Sequence, residues 1–183
     1  MSSLNLKGLN FTGLARLALA AGLTLSVSAC FRPLYGPTAS GESLQSVLAS
    51  IDVPEVKWPD QQARIGHYLR SELIYALNGS GSATPKKYVL NLSLAQTLNT
   101  PIVDAQSGRA QSATLVGNLT YTLTTPDGAT VITKGTATSQ ATYDRFEQRF
   151  ASVRAAREAE IRLAKTLTEQ VKTRLAATLQ ARS

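Results

Sequence analysis

The chain has 183 residues, enough for one domain once a removable leader is set aside, and its 43% hydrophobic and 17% charged residues describe a folded protein rather than a disordered tail. Its net charge is +7, but Lys7 and Arg16 belong to the leader, which leaves 17 basic residues against 12 acidic ones. Those basic residues are spread along the chain, so the clustered face expected of a nucleic-acid binder is missing and no nucleic acid is expected as partner.

Residues 1–29 carry Lys7 and Arg16, then an apolar run from Leu17 to Val27, then Ser28 and Ala29 before Cys30. The run is too short to span a bilayer, which takes about 20 apolar residues, and suits the central region of an export signal. Val27-Ser28-Ala29-Cys30 resembles the lipobox of bacterial lipoproteins, which implies cleavage before Cys30 and diacylglycerol on its thiol. Cys30 is the sole cysteine, so an internal disulfide is excluded. Two or more acyl chains make a stable anchor. Phe31 rather than aspartate follows the cysteine, which favours the outer membrane among lipoproteins of this kind.

Arg32-Pro33-Leu34-Tyr35-Gly36-Pro37 and the Ser- and Gly-containing stretch to Ser50 read as a tether, so residues 30–50 are expected to link the anchor to a single domain over 51–183. Ile51, Val53 and Val56 predict a short first strand, placed at an edge or cut short by Pro54. Asp60 is the expected N-cap of a helix reaching Asn78, closed by Gly79, with Ile65, Leu69, Leu73 and Leu77 on one stripe. Period two then takes over. Tyr88, Leu90, Leu92 and Leu94 alternate with polar positions, as do Leu115, Leu119, Tyr121 and Leu123. Thr125-Pro126-Asp127-Gly128 supplies a hairpin turn into a strand over about Thr130 to Tyr143, whose weaker apolar face is Val131, Ala137, Ala141 and Tyr143. Helical spacing returns from Glu147 to Ala181, with Phe150, Val153, Ile161, Ala164, Val171 and Leu175 near one stripe and Arg154, Glu158, Arg162, Lys165, Glu169 and Lys172 opposite.

The order strand, helix, three strands, helix predicts an α+β two-layer sandwich: a four-stranded mixed sheet, its first strand joined by a crossover helix to a three-stranded meander, with two helices on one face.

Catalytic chemistry finds little support. His67 is the only histidine and Cys30 is committed to lipid, so neither a Cys/His nucleophile pair nor a multi-histidine metal site can be built. Asp144 and Glu147 stand three apart, a spacing that marks a helix start more readily than a catalytic pair. Gly79-Ser80-Gly81 lacks the lysine of a phosphate loop. Asn91-Leu92-Ser93 and Asn118-Leu119-Thr120 match the glycosylation acceptor but lie on strands behind a bacterial-type leader. No enzyme, metal or cofactor is expected.

The lipobox, Phe31-Arg32-Pro33-Leu34-Tyr35-Gly36 after it, the order of elements and the basic last helix together resemble the LPS-assembly lipoprotein family LptE, in its shorter alphaproteobacterial form, over residues 30–183. The resemblance implies an outer-membrane lipoprotein that plugs the lumen of an LptD-like β-barrel, assists the barrel's assembly and takes part in inserting lipopolysaccharide into the outer leaflet. No family motif fixes the lipopolysaccharide contacts. On charge alone, Arg109 in the Thr100–Gln111 loop and Lys134 on the face opposite the apolar one are the candidates for lipid A phosphates. A second class of function, an envelope lipoprotein of a phospholipid-trafficking or ABC-transport system, shares the anchor and the small α/β body; the identity of the partner separates the two.

Overall fold

The computed structural model of the chain describes residues 41–79, 81, 83–100, 106, 108 and 110–182. Cys30 and Arg109 lie outside them. Among the described residues the order is α1 (Leu44–Ala49), β1 (Ile51–Asp52), α2 (Ala63–Asn78), β2 (Tyr88–Asn99), β3 (Ser112–Thr124), β4 (Val131–Asp144) and α3 (Arg149–Arg182). The expected α+β fold with a four-stranded mixed sheet is present, with one more helix than the sequence led us to expect.

That extra helix falls in the stretch read as tether. Ser43 caps it, its side chain accepting the Ser46 N–H at 3.2 Å. Leu44, Val47 and Leu48, at helical spacing, are buried together with Ala49. The last turn is tied down by Lys86, whose Nζ donates to the carbonyls of Ala49 (2.8 Å) and Ile51 (3.1 Å). Strand β1 keeps only Ile51 and Asp52, paired in parallel with Tyr88 and Val89. Pro54, which has no N–H to give a ladder, stands two residues beyond.

Helix α2 begins at Ala63, three residues after the expected cap; Gln62 holds the N-cap position without a side-chain bond. Residues 59–62 form a turn instead, with Gln62 N–H donating to Pro59 O at 2.7 Å. Gly79 stays in the right-handed region at the helix end, and the positive φ of 63° falls on Gly81. The predicted stripe holds: Ile65, Leu69, Leu73 and Leu77 are buried. On the same face Gly66 admits the Trp58 ring, which would lie within 2.5 Å of a Cβ there.

The sheet order is β1-β2-β3-β4, with β2, β3 and β4 an antiparallel meander. Leu90, Leu92 and Leu94 of β2, Ala113, Leu115, Leu119, Tyr121 and Leu123 of β3, and Ala137 and Ala141 of β4 turn to one buried face. A register shift at Leu123/Thr124 changes the phase at the start of β4. Val131 therefore pairs with Thr124 on the opposite side and is 53% exposed, against expectation.

Helix α3 is 34 residues long, about 51 Å at 1.5 Å per residue, and packs on β3, β4 and α2. Gly117 permits a close approach to the sheet, since a Cβ there would stand 3.2 Å from the side chains of Leu163 and Leu167. The buried side chains of α3 run from Ala159 to Leu179. Phe150 (77% exposed) and Val153 (41%) precede that span and are not part of the core, and Ile161 sits at its margin. The expected stripe was right only in Ala164, Val171 and Leu175 because the helix starts packing a third of the way along.

Candidate functional site

With α2 and α3 on the apolar side, the other side of the sheet has no covering layer among the described residues. Its cross-strand rows follow from the register: Asn99–Thr114–Thr142, Thr97–Val116–Gln140, Ala95–Asn118–Thr138, Ser93–Thr120–Thr136 and Asn91–Thr122–Lys134. Threonine dominates because β-branched side chains fit a pleated surface and the hydroxyl keeps the face compatible with water. The hydroxyls are organised: Thr114 and Thr142 share a hydrogen bond at 2.9 Å, Thr120 and Thr136 one at 3.5 Å, and Thr138 donates to Asn118 Oδ1 at 2.9 Å. Each hydroxyl can donate and accept, so the face can bond sugar hydroxyls, amides or water.

Charge is nearly absent from this carpet. Along β2 to β4 it carries Lys134 toward the β3–β4 hairpin and Asp144 at the far end. Lys134 is exposed and makes no ion pair among the described residues, so its ammonium is free to meet an anion. Arg109, the other phosphate candidate, lies outside the described residues, as does Cys30. Of the strand ends that flank the loop containing Arg109, Ser112 stands ten residues and Asn99 eight residues along the sheet from the row of Lys134, about 33 and 26 Å at about 3.3 Å each.

Among the described residues, clefts open on the helical side, two of which bear on the site. One, of about 380 Å³, is lined by Glu42, Val47, Lys87, Tyr88, Ile132, Leu179 and Arg182. The other, of about 410 Å³, includes Gln61, Arg64, Gln96, Leu98, Tyr143 and Glu160. In the second, Arg64 grips Glu160 by both oxygens, Nε to Oε2 and Nη2 to Oε1, each at 2.6 Å. The hydrogen bond to Glu160 holds the guanidinium above its usual pKa despite partial burial. The two partners are 96 residues apart, which is why the pair could not be read from the sequence. It ties α2 to α3.

Nucleophile, base and metal sets are not assembled among the described residues, where no group of three or more His, Asp or Glu side chains could hold a metal. His67 is exposed, its ring tilted against Tyr68 with 6.2 Å between centroids. Asp144 and Glu147 are exposed at the end of β4 and in the connector to α3. No described helix is long and apolar enough to cross a membrane.

The family LptE, described as lipopolysaccharide-assembly, matches residues 48–175, which span nearly all of the domain. Among solved structures, a lipoprotein from Caulobacter crescentus CB15 superposes with a TM-score of 0.60 at 23% identity, over 76% of this chain and 97% of that one. A minor lipoprotein from Acinetobacter baumannii gives 0.48 at 14% identity, over 70% and 90% of the two chains. The rare lipoprotein B from Shewanella oneidensis gives 0.44 at 12%, over 69% and 96%. No curated protein sequence matches significantly. The Caulobacter likeness shows the fold, and the family match covers well over half of the chain: it belongs to the LptE family of lipopolysaccharide-assembly proteins.

Proposed function

We propose that this chain is an outer-membrane lipoprotein, anchored through Cys30, that occupies the lumen of an LptD-like β-barrel, helps that barrel assemble and takes part in placing lipopolysaccharide in the outer leaflet. It does so without turnover or cofactor. The observation that carries the reading is the family match over 48–175. The geometry supports it, because the lumen of a membrane barrel is polar and the open sheet face is a polar, nearly uncharged surface without a cover of its own.

The test is a pull-down of the lipidated full chain from its own envelope in detergent at physiological salt, read by mass spectrometry. A large outer-membrane β-barrel at near one-to-one ratio is expected. Transporter subunits without a barrel would overturn the reading in favour of phospholipid traffic. Within the same proposal, Arg109 and Lys134 meet the phosphates of lipid A as charge-assisted donors. Replacing both by alanine should weaken lipopolysaccharide binding by about tenfold and flatten its salt dependence; unchanged binding removes these two residues from the site.

A further inference from the structure

The sheet has two outer edges, and the structure treats them differently. On β4 the outward carbonyls of Thr136, Thr138 and Thr142 accept hydrogen bonds from Arg174, Gln170 (3.1 Å) and Arg162 (3.0 Å) of α3. Three long side chains thus lie across that edge and occupy three of its acceptors. At the other edge β1 pairs with only Tyr88 and Val89, which leaves the rest of β2 without a neighbour.

The register says which groups that exposes. Since the even-numbered carbonyls of β4 point outward, its odd residues face β3; the even residues of β3 then face β2, and the odd residues of β2 face β3. The N–H and C=O groups of Leu92, Leu94, Gln96 and Leu98 therefore point to the open edge. None of them has a backbone partner among the described residues. Backbone groups left so need water or a partner. The protective devices of exposed edges are also missing, as Tyr88–Asn99 contains no proline and no charged residue. At the same stretch Gln96 Oε1 is shielded from solvent without a hydrogen-bond partner, and Leu98 is 54% exposed.

We infer that the β2 edge from Leu92 to Leu98 docks an extended segment of the barrel partner by strand addition. The occupant follows from the two sides of the edge. Leu92, Leu94 and Leu98 flank it on the helix side, and Asn91, Ser93 and Thr97 on the hydroxyl side. An added strand continues both surfaces only if its residues alternate apolar and polar, the pattern of a membrane-barrel strand. A closed barrel has no free strand edge, so the segment is a strand of the barrel wall bound before closure, in keeping with a role in barrel assembly. The inference rests on the barrel reading above and deepens it.

Amide hydrogen exchange on the full-length protein gives the first check: the N–H groups of Leu92, Leu94, Gln96 and Leu98 exchange fast, while those of Ser93, Ala95 and Thr97 are protected. Uniform protection in the free protein would overturn the proposal. The second check is a fluorescent peptide of about ten alternating valines and threonines, flanked by lysines, roughly the length of a barrel strand. It should bind and protect the four outward amides, and a peptide N-methylated at adjacent central residues, which blocks both of its edges, should not. Gln96→Pro removes an outward N–H at a place where an edge strand tolerates proline, and should weaken binding by about tenfold, whereas Gln96→Ala, which keeps the N–H, should bind within about threefold of the parent. Equal binding by both variants, no binding at all, or self-association of the chain through this edge instead of peptide capture would each overturn strand addition. If the barrel is still recovered in the pull-down, the proposed function survives that failure.

Discussion

Arg64 and Glu160 meet at the mouth of a cleft, with the carboxylate side chain 10% exposed and the guanidinium side chain 53% exposed. Coulomb attraction at such a half-solvated pair is screened, so its stabilising value comes mostly from sparing a shielded carboxylate the loss of both donors. Arg64→Ala should therefore destabilise the domain by about 1–2 kcal/mol, less than a fully buried pair would show, and Arg64→Met with Glu160→Leu should recover most of it. Urea unfolding measures both; a double variant as weak as the single one would show that the pair itself is needed. Asp127 offers a separate test. The Thr125 hydroxyl first, then the Ala129 N–H, hold its carboxyl below the ordinary value. A depressed folded pKa contributes stability that is present above the unfolded value of about 4 and is lost as pH falls through the folded one. Thr125→Val should raise the Asp127 titration followed by NMR, and an unmoved titration would mean that the turn does not hold the carboxylate. The hairpin turn was legible beforehand because proline and glycine in Thr125-Pro126-Asp127-Gly128 dictate it, and Gly128 does adopt a φ of 72°.

At the scale of elements, the strands were readable and the helices only partly so. Period two survives in β2 and β3 because one face is buried from Leu90 to Leu94 of β2 and along most of β3. The start of β4 was misread because a register shift is a property of the pairing, not of either strand alone. Helix α1 was missed because six residues carry no sustained period, although Ser43 before Leu44, Val47 and Leu48 is a capping pattern in retrospect. The stripe of α3 was placed too early because sequence does not say where a long helix meets its sheet. Neither could sequence show that Arg162, which read as part of a solvated face, reaches back to β4 together with Gln170 and Arg174. Replacing these three by alanine should cost the fold little, about 1–3 kcal/mol in all, but should free the β4 acceptors. Sedimentation velocity should then show concentration-dependent association absent from the parent, and a triple variant that stays monomeric at high concentration would mean that the edge is guarded by something else.

For the molecule as a whole, the helix Leu44–Ala49 raises the question of how much the residues before β1 contribute to the fold. Leu44, Val47, Leu48 and Ala49 bring α1 against both α2 and α3, so the smallest helix touches the two largest. Burying each leucine or valine side chain is worth about 1.5–3 kcal/mol, so three of them contribute about 5–9 kcal/mol before the cost of ordering six helical residues, about 1–2 kcal/mol each for the backbone, is subtracted. On that count alone the helix nearly balances. What tips it is the surface it covers on α2, α3 and β1, where Ile51 is 2% exposed, and Lys86 would lose the Ala49 carbonyl it holds. A chain beginning at Ile51 therefore loses both α1 and part of the seal over the first strand, a large share of the roughly 5–15 kcal/mol that keeps a domain folded. A chain beginning at Gly41 should unfold in one cooperative thermal transition, and one beginning at Ile51 at a temperature lower by at least about 10 °C, with exchange fastest in the Leu73–Asn78 turns of α2. Equal melting temperatures for the two would return residues 41–50 to the role of a tether and leave the fold to start at β1.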